Sequence, residues 1–104
     1  MTTRPTPHYP LEAIQRALGN GEYAITLRAA ADAAALCFDE DDVRDCILML
    51  EQRHFYKSMR SKKRPGSRQD VYRCRHQGIA IYTKVQMGGG GKAVVISFKR
   101  DESV

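Results

Sequence analysis

The sequence predicts an α+β chain, helices first and a sheet after them, and three observations carry that expectation. Apolar residues recur with a helical period up to about residue 50 and alternate along the chain thereafter. Turn-forming residues separate the periodic stretches, Gly19-Asn20-Gly21 early and Gly88-Gly89-Gly90-Gly91 late. Charge divides at the same place: residues 1–53 carry five Lys/Arg against nine Asp/Glu, residues 54–104 twelve against three. Runs of helices followed by runs of strands imply N-terminal helices packed on one face of a C-terminal antiparallel sheet whose other face stays partly open.

Each element has its own signal. Leu11, Ile14 and Leu18 recur at helical spacing behind Pro10, which suits a first helical position, and predict a helix over residues 10–18. Thr26 can cap an alanine-rich helix from Leu27 to Leu36, and Asp39 a third in which Val43, Ile47 and Leu50 share one side. The acidic run Asp39-Glu40-Asp41-Asp42 lies where a helix N-terminus favours anions and reads as a solvated helix start. Strands are expected over residues 54–60 and 69–76, separated by the basic, turn-rich segment from Ser61 to Arg68. Ile79, Ile81, Thr83, Val85 and Met87 alternate with Ala80, Tyr82, Lys84 and Gln86, and Val94, Ile96 and Phe98 alternate with Val95, Ser97 and Lys99.

Composition excludes several classes. A chain of 104 residues suits one domain, residues 1–104. No apolar run has the length of a bilayer span, and Met1–Pro7 lacks the apolar core of a secretion signal, so a cytoplasmic protein without a membrane partner is expected. Cys37, Cys46 and Cys74 form an odd set without a Cys-x-x-Cys pair and are expected to be small buried apolar side chains. Cys74, His76 and His54 fall short of a closed metal site, and no metal or other cofactor is expected. Gly88–Gly91 beside Lys92 lacks the phosphate-loop spacing and reads as a hairpin loop.

The basic half points to a polyanion, because clustered cations release the condensed counterions of nucleic acid. A merely solubilising face, or one that meets an acidic protein, would carry the same charge. Strand parity adds detail: with Ile81 and Val85 inward, Tyr82 and Lys84 face out, and with Tyr72 and Cys74 inward, Gln69, Arg73 and Arg75 face out. Lys57 is placed outward because burying an unpaired ammonium is costly, which puts Phe55 outward too unless it precedes the strand.

These side chains permit RNA cleavage without a metal. The ribose 2′-hydroxyl can attack its own phosphorus, leaving the protein to orient it, move protons and stabilise the phosphorane. Lys57 near Arg73 and Lys84 can transfer a proton or clamp charge; Tyr82 can move a proton or stack on a base; Arg73 can grip phosphate; Gln69 can orient the reacting groups. His54, at a helix-to-strand junction, could serve as a base but is the kind of histidine more often used in structure.

The motifs Phe55-Tyr56-Lys57-Ser58-Met59, Gln69-Asp70-Val71-Tyr72-Arg73, Ile81-Tyr82-x-Lys84 and Ile96-Ser97-Phe98-Lys99, in this order behind helices, closely resemble the motility quorum-sensing regulator (MqsR) toxins of bacterial type II toxin-antitoxin systems. The resemblance runs from about Arg4 to Lys99. It implies a fold similar to the RelE and YoeB ribonucleases and sequence-specific cleavage of single-stranded mRNA, favouring GC-containing sites. It also implies catalytic roles for Lys57, Gln69 and Tyr82, and a cognate MqsA-like antitoxin that carries its own zinc and a DNA-binding domain. RNA-binding candidates are Tyr56, Arg73 and Lys84 with the loop cations Lys62, Lys63 and Arg64. The alternatives are an RNA-binding module that uses the same face without cutting, and an interaction protein that recruits a partner through its acidic helices or an exposed strand edge.

Overall fold

The computed structural model describes residues 6–61 and 66–103. The expected helices are present, each with the start its sequence supplies. Pro10 stands before α1 (Leu11–Gly19) as its extended cap rather than inside it, and its carbonyl accepts the Ala13 and Ile14 N–H groups. The Thr26 hydroxyl accepts the Ala29 N–H at 3.1 Å and donates to the Ile96 carbonyl at 3.0 Å. One side chain thus starts α2 (Leu27–Ala34) and ties it to the last strand. Asp39 and Asp42 cap each other's backbone at the head of α3 (Glu40–Leu48).

The sheet has five strands, β1 (Tyr23–Ile25), β2 (Phe55–Arg60), β3 (Arg68–His76), β4 (Ile79–Met87) and β5 (Ala93–Arg100), in the spatial order β1-β5-β4-β3-β2. Strands β2 to β5 form an antiparallel meander, but β1 runs parallel to β5. The sheet is therefore mixed, which corrects the purely antiparallel expectation. Three residues between two helices are too few to display an alternation, so β1 leaves no signal in the sequence. Gln77 and Gly78, with φ of 51° and 81°, make the two-residue turn between β3 and β4.

Two bulges decide which side chains reach which face. On β2, Phe55 pairs with Tyr72 while Lys57 pairs with Val71, so Tyr56 is the extra residue. Phe55 consequently turns inward, edge-on to the Tyr72 ring at 5.6 Å, whereas Tyr56 and Lys57 are exposed. Strict alternation put Phe55 and Lys57 on one side; the bulge separates them. On β5, Lys84 pairs with Ser97 and Val85 with Val95, leaving Ile96 as the extra residue. Ala93, Val95 and Phe98 then face the core together, which splits the expected set of Val94, Ile96 and Phe98.

One core lies between the helices and the inner face of the sheet. Ile14 and Leu18 of α1, Ala29 and Ala33 of α2, and Val43 and Ile47 of α3 meet Tyr72, Ile81, Val85 and Phe98 there. Cys46 is buried in this core and Cys74 half-buried beside it, with Sγ atoms 3.6 Å apart. Cys37 is exposed, contrary to expectation, because it is the left-handed residue (φ 66°) that ends the α2 segment.

Candidate functional site

The face turned away from the helices carries the polar cluster. Strand register arranges it in rows: Arg73, Tyr82 and Lys99 in one, then Lys57, Val71, Lys84 and Ser97, then Met59 beside Gln69 and Gln86 beside Val94. Val71 is fully buried although it belongs to this face. Its neighbours across the strands are the long stems of Lys57 and Lys84, which can cover an apolar floor while their charged ends stay in solvent.

Sheet spacing puts the Cα atoms of Lys57 and Tyr82 roughly 12 Å apart, two strands across and two residues along. Both side chains line one open cavity of about 330 Å³, together with Tyr56, Arg73, Lys99 and Asp101. Gln69 is not part of that cavity. It lies one row beyond Lys57 on the side away from Tyr82, where its amide meets Gln86 at 3.5 Å. Lys57, Tyr82, Tyr56 and Arg73 are thus brought together, and Gln69 flanks them. Lys84 adjoins the cluster, its ammonium 5.9 Å from the centre of the Tyr82 ring. Lys62, Lys63 and Arg64 lie outside the described residues.

Cations and rings interleave here. The Tyr56 ring has the Arg73 guanidinium 4.8 Å from its centre and the Lys57 ammonium 5.3 Å from it. Lys99 approaches the Tyr82 ring at 5.4 Å. Burial, reinforced by Tyr56 and Asp101, pushes the Tyr82 hydroxyl above the ordinary tyrosine range although Arg73 opposes the shift. Tyr82 therefore remains a neutral phenol near pH 7, able to donate a proton.

Two acids escaped the sequence reading. Asp101 is 5% exposed and accepts from Arg73 Nε at 2.6 Å. Burial alone would raise its carboxyl, but hydrogen bonds from Ser103 and Arg73 outweigh that and hold it below the usual carboxylate range. The Ser103 hydroxyl also accepts from an Arg73 terminal nitrogen at 2.7 Å. Arg73 is thus stacked on Tyr56 and gripped along one edge, which leaves its other donors for a ligand. An acidic pair, Asp101-Glu102, directly after a strand in a basic half was the available clue. Asp70, inside a recognised motif, is structural: its carboxylate, 1% exposed, accepts the His8 and Tyr9 N–H groups at 3.0 and 2.8 Å. His54 is likewise held in place, its Nδ1 accepting the Glu51 N–H at 2.9 Å.

The chemistry this face permits agrees with comparison to known proteins. Residues 6–100 match the family described as "Motility quorum-sensing regulator, toxin of MqsA". The chain is also 31% identical over 94 residues to the "mRNA interferase toxin MqsR" of Escherichia coli (strain K12), an alignment that covers 90% of this chain and 94% of the relative. The family match begins ahead of α1 and ends with the last residue of β5, so helices, sheet and open face are all included. On that span, the chain belongs to the motility quorum-sensing regulator toxin family.

Proposed function

We propose that the chain is the toxin of a type II toxin-antitoxin pair and that it is an endoribonuclease that cuts mRNA on the open face of its sheet. The observation that carries this reading is membership, over residues 6–100, in a toxin family that has an mRNA interferase among this chain's relatives. The geometry supports the site. Lys57 and Tyr82 open into one cavity, and Arg73 is fixed between them with donors to spare.

In this reading the RNA supplies its own nucleophile. The 2′-oxygen attacks the adjacent phosphorus and the bond to the 5′-oxygen of the next nucleotide breaks. Lys57 serves as the proton-transfer group at the 2′-oxygen, and Tyr82, a phenol, gives a proton to the departing 5′-oxygen; that the two side chains line one cavity supports this division. Arg73 neutralises charge building on the phosphorane, Tyr56 stacks on a base, and Lys84 draws in the backbone. Gln69, one row away, orients the neighbouring nucleotide. The polar side chains of the open-face rows are basic, amide or hydroxyl groups, and of the two carboxylates that border the cavity Asp101 is taken up by Arg73, which suits a route without a divalent ion.

The preferred cut contains GC, and the partner is an MqsA-like antitoxin with its own zinc and a DNA-binding domain. Both act in the cytoplasm, where the messenger is. No helix among the described residues is long and apolar enough to cross a membrane. Induced expression followed by primer extension on abundant messages tests the reading: new 5′ ends should recur at a fixed GC-containing sequence. Growth arrest without new ends would favour the non-cutting RNA binder.

A further inference from the structure

A second cavity adjoins the first, and the reading above leaves it unused. It opens where β2 begins, has a volume of about 570 Å³, and is bordered by Arg53, His54, Tyr56, Arg73 and Arg75. That volume falls within the roughly 300–1,000 Å³ of ordinary small-ligand sites. Tyr56, Arg73 and Asp101 border both cavities, so the two adjoin through the stacked pair. Because β2 starts opposite Tyr72, residues 73–76 of β3 have no strand partner on that side among the described residues.

We propose that this cavity is a subsite for a nucleotide flanking the cut, its phosphate held by Arg53 and Arg75 and its base laid against the exposed Tyr56 ring. The inference rests on the endoribonuclease reading and extends it along the strand of RNA. Three guanidiniums border the space, and the acids near them are already engaged. Asp101 is bound by Arg73, and Glu51 lies 3.0 Å from Arg53 in an exposed pair. An exposed pair of that kind holds weakly and yields to a phosphate. Arg75 gives one N–H to the Gly78 carbonyl at 3.2 Å and retains its others. His54 accepts through Nδ1, which leaves its other ring nitrogen as the donor. Tyr56 is 44% exposed, so part of its ring stays available to a base beside the Arg73 and Lys57 cations that lie over it. Continuity with the Lys57 and Tyr82 cavity favours RNA over an acidic protein segment.

The test compares kcat/KM on a ladder of RNA oligonucleotides that share one mapped cut and grow by single nucleotides on either side. Wild type should gain about tenfold when the nucleotide that fills the subsite is added. Arg53→Gln combined with Arg75→Gln should lose that gain, yet cut the shortest substrate as wild type does and melt at the same temperature. An equal slowing on short and long substrates would place the two arginines in the cleavage cavity or the fold and overturn the proposal. An unchanged gain would overturn it too, as would an unchanged gain accompanied by weakened antitoxin binding, which would assign the cavity to the antitoxin. If wild type cuts no member of the ladder while active controls do, the endoribonuclease reading itself fails and the subsite falls with it.

Discussion

Replacing Lys57 with methionine should separate chemistry from stability. Methionine keeps an unbranched apolar stem over Val71, which is fully buried, and removes only the ammonium. Lys57 is exposed on β2, an edge strand, so stability should change by no more than about 0.5 kcal/mol. In a chain of this size that is a Tm shift below roughly 4 °C. Loss of a positioned proton-transfer group should slow cleavage about 10²–10⁴-fold, equivalent to about 2.7–5.5 kcal/mol of barrier. Single-turnover cleavage of an end-labelled RNA, run beside a thermal melt of the same preparation, reads both quantities. Activity within tenfold of wild type at an unchanged Tm would refute the role given to Lys57. A Tm lower by more than about 8 °C would refute its placement on the surface.

Three further outcomes are expected. The Tyr72 hydroxyl is buried without a hydrogen-bond partner among the described residues, and burial pushes it up to about 12; Tyr72→Phe should therefore keep or raise the Tm, and a loss beyond about 1 kcal/mol would reveal a hidden partner. Neutralising Lys62, Lys63 and Arg64 together should flatten the salt dependence of RNA binding and leave the cut sequence unchanged, since clustered cations meet phosphates; a changed cut sequence at an unaltered salt slope would mean base reading by these residues. The chain should co-purify with the product of an adjacent gene, an exposed sheet edge being a suitable dock, and recovery of the toxin alone under conditions that preserve complexes would count against that partner.

Much of the fold was legible because its signals are local. Thr26 and Asp39 announce helices through their own side chains, and the β4 alternation survives intact because no bulge interrupts its inward residues Ile81, Thr83 and Val85. What could not be read depends on distant partners. β1 exists as a strand only because β5 offers it an edge, and the bulges at Tyr56 and Ile96 are set by pairing with β3 and β4. Parity nevertheless put Arg73, Tyr82 and Lys84 on one face, and the cost of burying an ammonium put Lys57 there with them; the errors of parity fell on apolar neighbours such as Phe55 and Ile96. It could not say that Gln69 lies outside the cavity, since that depends on register rather than side. Nor could it find Asp101, whose carboxylate acquires its importance from Arg73, 28 residues earlier.

The most direct test of the account uses an RNA substrate with a single 2′-deoxy substitution at the nucleotide 5′ to the mapped cut, assayed in the presence of a divalent-ion chelator. If the 2′-oxygen is the nucleophile, the substituted RNA should bind as the parent does and resist cleavage. The unsubstituted parent should be cut at its usual rate, leaving a 2′,3′-cyclic phosphate or the 3′-phosphate from its opening, and a 5′-hydroxyl on the downstream piece. Normal cleavage of the deoxy substrate, or abolition of parent cleavage by the chelator, would contradict metal-free transesterification on this face and point instead to water-mediated, metal-assisted hydrolysis.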